Sequence, residues 1–396
     1  MEKLKYELEL LRKLIKFNTD AIKKTYYKEC AEVIKEECKK IGLKVDIYDG
    51  EEEAKDNISR PSVVAKLERE SDKTVLLLTH YDIVPEGKGW TKDPFNLTIE
   101  DNKAYGRGCA DDKGCIAVAL GAIKEVLDKS KYNVIFVSVP EEEVGGKYGA
   151  GYVSKKLNNI DEVLVLDAGN EYISIGASGV VFGEIKVYGD QGHAGYPFRY
   201  RNAAQDLIRL LYHLSEFSII RARKISKFDA PPESPIPKNF GRFSLTMLGA
   251  GEKENVIPGL AYARFDMRLI PEENYEEAIN EFKTFFIALT NSLGIKAEIS
   301  WIEGGGNYVS DPNSPSVIKF KKIASEEFNK DLKIVTEFGG NDGKYFANRN
   351  IPIISFGLAA KDTRFHGADE FAYLDDMLKL KSILIKYLTT WPVKLV

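Results

Sequence analysis

Three short runs constrain this chain more than anything else in it: Val75-Leu76-Leu77-Leu78, Val134-Ile135-Phe136-Val137 and Val163-Leu164-Val165-Leu166. All are apolar on both faces. A strand of that kind belongs in the middle of a sheet covered by helices, so the runs predict an α/β layered domain.

The surrounding periodicity agrees. Residues 1–18 and 26–41 carry helical apolar spacing, the second ending at Gly42 as at a C-cap. Strands are expected at 44–48, 62–67, 74–79, 133–139 and 163–166, with helices at 112–127 and shortly after Gly146. The pattern changes near Ser178. Strands at 180–188, 242–248, 261–269 and 296–301 and helices at 203–217 and 273–293, with a Pro-rich loop at 229–237, give a strand-helix-strand-strand-helix-strand order, the ferredoxin-like pattern. Gly304-Gly305-Gly306 and Asp311-Pro312-Asn313 mark a linker. Beyond it a strand at 351–356 and a helix from 374 resume the alternation. The expected architecture is a large α/β/α domain with a central sheet (1–177 and 304–396), interrupted by a ferredoxin-like α+β insertion (178–303).

Composition excludes several function classes. A net charge of −4 with interspersed signs argues against nucleic-acid or anionic-membrane binding. No apolar run approaches the roughly 18 residues of a membrane span. The charged start, Met1-Glu2-Lys3-Leu4-Lys5, reads as an amphipathic helix, not a signal peptide. Four scattered cysteines (Cys30, Cys38, Cys109, Cys115) suggest a reduced, cytoplasmic protein. Only two glutamines, against abundant Lys and Glu, is a hyperthermophile-like bias.

The chain has four histidines, and three lie among acids and glycines: His80 in Thr79-His80-Tyr81-Asp82, His193 in Gly192-His193-Ala194-Gly195 and His366 in His366-Gly367-Ala368-Asp369-Glu370. His213 sits in ordinary helical sequence. His80 and Asp82 stand at the end of a buried strand, where open α/β sheets collect their chemistry. Asp111-Asp112 follows the glycine-rich turn Tyr105-Gly106-Arg107-Gly108; one of the two can serve as an N-cap, but adjacent acids crowd like charge unless a cation is near. Glu141-Glu142-Glu143 closes a second buried strand and should point into the site above the sheet. Asp167 closes a third, and His366 follows the strand at 351–356. Two imidazoles with several carboxylates suit Zn²⁺ or Co²⁺ better than Ca²⁺ or Mg²⁺. More than four ligands suggests two metals sharing a carboxylate.

In this order the motifs resemble the cocatalytic-zinc metallopeptidase family of acetylornithine deacetylase, succinyl-diaminopimelate desuccinylase, aminoacylase and glutamate carboxypeptidase. The segments are His80-Tyr81-Asp82-Ile83-Val84-Pro85, Trp90 with Pro94-Phe95, Tyr105-Gly106-Arg107-Gly108 with Asp111-Asp112-Lys113-Gly114, Glu141-Glu142-Glu143-Val144-Gly145-Gly146, Gly192-His193, Asn255-Val256-Ile257-Pro258, Arg268, Phe338-Gly339-Gly340-Asn341-Asp342-Gly343, and His366 with Glu370. The resemblance implies a catalytic domain with an inserted lid and dimerisation domain, and two Zn²⁺ per subunit, replaceable by Co²⁺. By position, His80 and Asp167 would bind one metal, Glu143 and His366 the other, and Asp111 would bridge them, with the Asp111–Asp112 peptide expected to be cis. Glu142 would be the general base and Asp82 the acid behind His80. His193 would polarise the scissile carbonyl in a partner subunit's site. Arg268 would clamp the substrate carboxylate, its alternative being an outward strand arginine paired with an acid. Asn255, Gly340 and Asn341 would orient substrate. The chain departs from many members at Asn341, where Thr or Ser is common, and at Asp167, where Glu is common.

The resulting expectation is metal-dependent hydrolysis of the amide of an N-acyl amino acid by a homodimer. A carboxypeptidase or dipeptidase of the same family is the alternative, and a non-catalytic binding protein on this scaffold a remoter one.

Overall fold

The structure is a computed structural model that describes residues 2–391. It divides into two compact units: Met1–Gly176 with Val309–Val335 and Asn341–Val396, and Ala177–Tyr308 with Thr336–Gly340.

The first unit is built on a mixed sheet. Its strands lie in the order Lys44–Asp49, Pro61–Leu67, Asn133–Val139, Thr74–His80, Glu162–Val165, Ile353–Ser355 and Ile173–Ala177. Thr74–His80 is flanked by parallel neighbours on both sides, Asn133–Val139 and Glu162–Val165, and Ile353–Ser355 extends the parallel block. Lys44–Asp49 closes one edge antiparallel to Pro61–Leu67, and on the other side Ile173–Ala177 runs antiparallel to Ile353–Ser355 within this nine-stranded sheet. Every residue of Thr74–His80 is buried, as a double-sided apolar run requires. Each fully buried Val or Leu there contributes about 1.5–3 kcal/mol relative to solvent exposure.

Helices Tyr27–Lys40 and Lys113–Val126 pack on this sheet. Gly42 takes φ +90 just beyond the first, the left-handed conformation that stops a helix cheaply. Lys113–Val126 is buried almost all round, because it also packs against helices Lys5–Ile15 and Leu374–Thr389. Gly121 makes that possible: a Cβ there would lie 1.9 Å from Glu7 Oε1. Lys381 Nζ reaches the same oxygen at 2.8 Å, so the buried Glu7 is neutralised where three helices meet.

A small antiparallel sheet of Thr98–Glu100, Lys103–Tyr105 and Phe371–Tyr373 has no clear trace in the sequence periodicity. Its pairing of Phe371 with Tyr105 fixes the C-terminal segment beside the glycine-rich turn.

The second unit is a four-stranded antiparallel sheet in the order Arg242–Ala250, Leu260–Leu269, Gly179–Tyr188, Ala297–Gly305, with helices Ala203–Ala222 and Tyr275–Leu293. The connectivity is that of the ferredoxin-like pattern. Asn202 and Asn274 cap the two helices through their side-chain oxygens. Strand residues alternate: Val181, Ile185, Val187, Phe265 and Met267 enter a core with Phe217, Phe243, Phe282 and Phe286, and the intervening residues line the opposite face. The Pro-rich loop is carried by a hairpin of Ile225–Asp229 and Lys238–Phe240, two strands too short and polar to read from periodicity.

Phe282 is fully buried and touches Phe217, Phe243, Phe265 and Trp301 with ring centroids 4.6–6.0 Å apart. Phe282→Ala should destabilise the second unit by about 3–5 kcal/mol. Chemical denaturation followed by tryptophan fluorescence measures this; a loss below about 1 kcal/mol would mean the cluster is not the core described.

Candidate metal centre

Four strand ends of the central sheet deliver the polar residues. His80 is the last residue of Thr74–His80, Glu141–Val144 follow Asn133–Val139, Asp167 follows Glu162–Val165, and the segment bearing His366 follows Ile353–Ser355. Asp111 comes from the turn that leads into helix Lys113–Val126, and the Asp111–Asp112 peptide bond is cis. Asp112 occupies the helix N-cap position without a side-chain cap bond. Its Oδ2 instead accepts the backbone N–H of His80 at 3.1 Å.

Asp111 is the meeting point. His80 Nε2 lies 2.9 Å from its Oδ1, and His366 Nε2 lies 3.0 Å from its Oδ2. His366 Nε2 is also 3.1 Å from Glu143 Oε2. Two candidate ligand groups result, each with donor atoms within 4.8 Å of one another: His80, Glu142 and Asp167; and Asp111, Glu143 and His366. The first includes Glu142, which the sequence reading assigns to proton transfer. His366 and Glu141 both have positive φ, +63 and +66. Such conformations, each costing of order 1–3 kcal/mol, collect at functional sites.

Electrostatics mark the same cluster. Burial opposes a charged Asp111, but the His366 and His80 imidazoles outweigh it and hold its pKa below the usual carboxylate range. Asp111 and Glu143 raise His366 to about 10. Burial, together with Asp167 and Asp342, holds Glu142 well above the ordinary carboxyl value. Burial, then Asp111, pushes Asp167 to about 7, and burial raises Asp342 to about 6. So much buried like charge is costly without a counter-cation. Glu143 Oε1 is buried with no hydrogen-bond partner among the described residues. The mixed imidazole and carboxylate donors, the crowding and this orphaned oxygen fit one or more divalent transition-metal ions.

A further layer of residues orients these groups. His80 Nδ1 faces only acceptors, the Asp82 carbonyl at 3.1 Å and Asp82 Oδ1 at 3.4 Å. In the neutral ring the proton therefore sits on Nδ1 and Nε2 is left to bind. The Asp82 carboxylate also accepts the backbone N–H groups of Glu142 and Glu143 at 3.2 and 3.1 Å, so one buried acid aligns two strand ends. Glu141 is a correction: it points away from the cluster, to Arg60 Nε at 2.7 Å and Lys24 Nζ at 3.1 Å. The buried Arg60 needs a counter-charge, and Glu141 supplies it.

Glu370 does more than the sequence suggests. Its Oε1 accepts the N–H groups of Gly108, Ala110 and Asp111 at 3.0, 3.0 and 3.2 Å, and its Oε2 accepts from Arg107 at 2.6 Å. It clamps the turn that carries Asp111. In the sequence it stands only beside His366 in the last motif, as an acid immediately before the apolar strand Phe371–Tyr373. Asp342 is buried with both oxygens unpartnered among the described residues, against Gly146, where a Cβ would lie 2.0 Å from Oδ1.

Asn341, in the first unit, is buried, caps the turn at Gly343 and donates to Ser355 at 3.0 Å. His193, Asn255, Arg268 and Gly340 belong to the second unit. His193 is exposed and pairs with Val256 across a short two-stranded bridge, and the Asn255 carbonyl accepts the Ala194 N–H at 2.9 Å. Arg268 is held by Asp266 at 2.7 and 2.8 Å, as the alternative reading of an acid-paired strand arginine has it.

The sequence model of peptidase family M20/M25/M40 matches residues 76–390. A succinyl-diaminopimelate desuccinylase of Buchnera aphidicola is 30% identical over 336 residues, covering 81% of this chain and 84% of the relative. An uncharacterized metallohydrolase of Methanocaldococcus jannaschii is 27% identical over 359 residues, covering 84% of each. Among solved structures, an M20 family metallo-carboxypeptidase from Sulfolobus solfataricus superposes with a TM-score of 0.80 at 21% identity, covering 97% of this chain and 98% of that one.

Glu370→Gln sets an amide NH₂ against Arg107 or the three backbone donors and should loosen the Asp111 turn. Metal affinity, measured by competition with a chromogenic chelator, should fall about 10–100-fold. An unchanged affinity would show that Asp111 is held by other contacts.

Proposed function

The chain belongs to peptidase family M20/M25/M40 and is a metal-dependent hydrolase of amide or peptide bonds; on that premise we propose that it removes the acyl group of an N-acyl amino acid, in the manner of a deacetylase or desuccinylase, with two bound zinc ions. The observation that carries this reading is Asp111, whose two oxygens each meet a different histidine, with Glu142 and Glu143 beside them. In it His80 and Asp167 hold one cation, Glu143 and His366 the other, and Asp111 both. The desuccinylase relative supports the choice of an acyl amide.

When bound, such cations supply Lewis acidity, acidifying a water and polarising a carbonyl. Proton transfer falls to Glu142. Burial and its acidic neighbours raise its carboxyl above the ordinary value, which makes it a stronger base than a solvated carboxylate. Glu142 takes the proton of the attacking water and delivers it to the departing amine. Asp82 keeps the His80 ring in its binding tautomer and fixes the backbone of Glu142. His193, from the second unit of a partner subunit, donates a hydrogen bond to the carbonyl oxygen as charge develops there. Arg268 takes the substrate carboxylate, and Asn255, Gly340 and Asn341 border the substrate.

The homodimer this requires is supported by helix Ala203–Ala222, where Ile208, Tyr212 and Ile219 are 68%, 73% and 56% exposed and recur at helical spacing along one stripe. The four cysteines are buried and unpaired, in keeping with a reducing, cytoplasmic setting. No described helix is long and apolar enough to cross a membrane. The likeness in fold to a metallo-carboxypeptidase favours a second reading, release of an amino acid from a short peptide.

Glu142→Ala separates proton transfer from metal binding. Turnover should fall by about 10²–10⁴-fold while metal content stays that of the parent; loss of metal would make Glu142 a ligand, and undiminished turnover would remove it from the mechanism. Chelation should abolish hydrolysis and added Zn²⁺ or Co²⁺ restore it. A panel of N-acetyl and N-succinyl amino acids beside dipeptides then decides between the two readings.

A further inference from the structure

The face of the second unit's sheet that turns away from its helices carries an unusual pair. Arg242 and Arg268 are direct cross-strand partners, and they share that face because Phe243, Met267 and Leu269 take the core side. Side chains so paired start from Cβ atoms about 4.5–5.5 Å apart, and like charges directly opposite are destabilising. Among the described ion pairs Asp266 is the one carboxylate that either arginine engages, through Arg268 Nε and Nη2. In those pairs the two guanidiniums have one counter-charge between them. The consequence is visible at Arg242, whose pKa is lowered to about 10 by burial and by the charge of Arg268.

Among the described residues neither arginine uses all its donors. Arg242 Nη2 donates to Phe338 O at 2.9 Å and Ser178 Oγ at 3.2 Å, while its Nη1 is buried with no partner among the described residues. The Asp266 fork leaves Arg268 Nη1 outside it, and that side chain is 27% exposed. Aromatic rings wall the pair: Phe338 and Phe240 lie 4.3 and 5.7 Å from the Arg242 guanidinium, and Phe182 lies 5.9 Å from that of Arg268. Such rings hold a guanidinium plane in place and shield it from water.

We propose that Arg242 is a second specificity-determining cation, and that Arg242 and Arg268 together receive a single carboxylate of the substrate, one oxygen from the Nη1 of each. This rests on the reading of Arg268 as the carboxylate-binding residue and deepens it. The anion supplies the missing counter-charge and satisfies the orphaned Nη1. A site built this way rejects neutral analogues strongly, because without the carboxylate its buried donors stay unpaired. Arg242 was not visible as a site residue in the sequence: it is one basic residue in a strand, and only the register places it opposite Arg268.

The test is equilibrium binding of succinate, and of its uncharged diamide succinamide, to the full-length zinc-supplemented protein by titration calorimetry. Succinate should bind and succinamide should not. Arg242→Gln and Arg268→Gln should each weaken succinate at least tenfold, and the double variant should lose less than the product of the two losses, because both act on one carboxylate. Arg242→Lys, which keeps the charge and loses the fork, should fall between the parent and Arg242→Gln. Thermal melts establish that each variant folds. Succinate affinity unchanged in a folded Arg242→Gln, losses that multiply independently, or equal binding of succinamide would each overturn the proposal. The readout needs no turnover. Arg242-dependent binding by a protein that cleaves no amide would leave the subsite standing and the hydrolase reading refuted, while unimpaired turnover and binding in Arg242→Gln would do the reverse.

Discussion

Asp111 meets His80 Nε2, at the end of the central strand, with one oxygen, and His366 Nε2, some 250 residues further along the chain, with the other. Most of the first unit's polar architecture serves to hold that junction. Glu370 binds the backbone of the turn before Asp111, Asp82 binds the backbone of the Glu142–Glu143 turn, and Asp112 binds the backbone of His80. Each of these acids is buried, and each is matched to backbone donors. The inner carboxylates, Glu142, Glu143 and Asp167, accept no such backbone donors among the described residues, whereas burial raises the pKa of acids in both sets. The difference between the two sets divides scaffold from chemistry: acids that lack protein donors are those a cation would neutralise.

The parts of this arrangement that can be read from sequence are those governed by local rules. The double-sided apolar runs led directly to three adjacent parallel strands, because a strand buried on both faces has no other place to go. Their C-terminal residues then had to lie on one edge, which gathers His80, Glu142, Glu143 and Asp167 before any distance is known. The start of the second unit was legible from a change of period, from fully apolar strands to alternating ones near residue 178, whereas its return at Thr336–Gly340, expected in the first domain, was not.

The parts that could not be read depend on pairing between distant segments. Glu141 sits in the same acidic run as Glu142 and Glu143, yet the buried Arg60 draws it away. Glu370 stands in the sequence beside His366 with no role attached, until Phe371 pairs with Tyr105 and sets it over the Asp111 turn. The opposition of Arg242 and Arg268 is a matter of register, which a single strand's pattern does not carry. Sequence thus marked the residues that could do chemistry, and the fold distinguished those with their charge already spoken for.

The carboxylates around Asp111 form the donor set that two cations sharing that residue would need. X-ray diffraction from crystals of the zinc-supplemented protein, recorded on both sides of the zinc absorption edge, decides whether they bind so. Two anomalous peaks per chain are expected, one beside each Asp111 oxygen, the first near His80 and Asp167 and the second near Glu143 and His366. A single peak, or peaks away from Asp111, would contradict it.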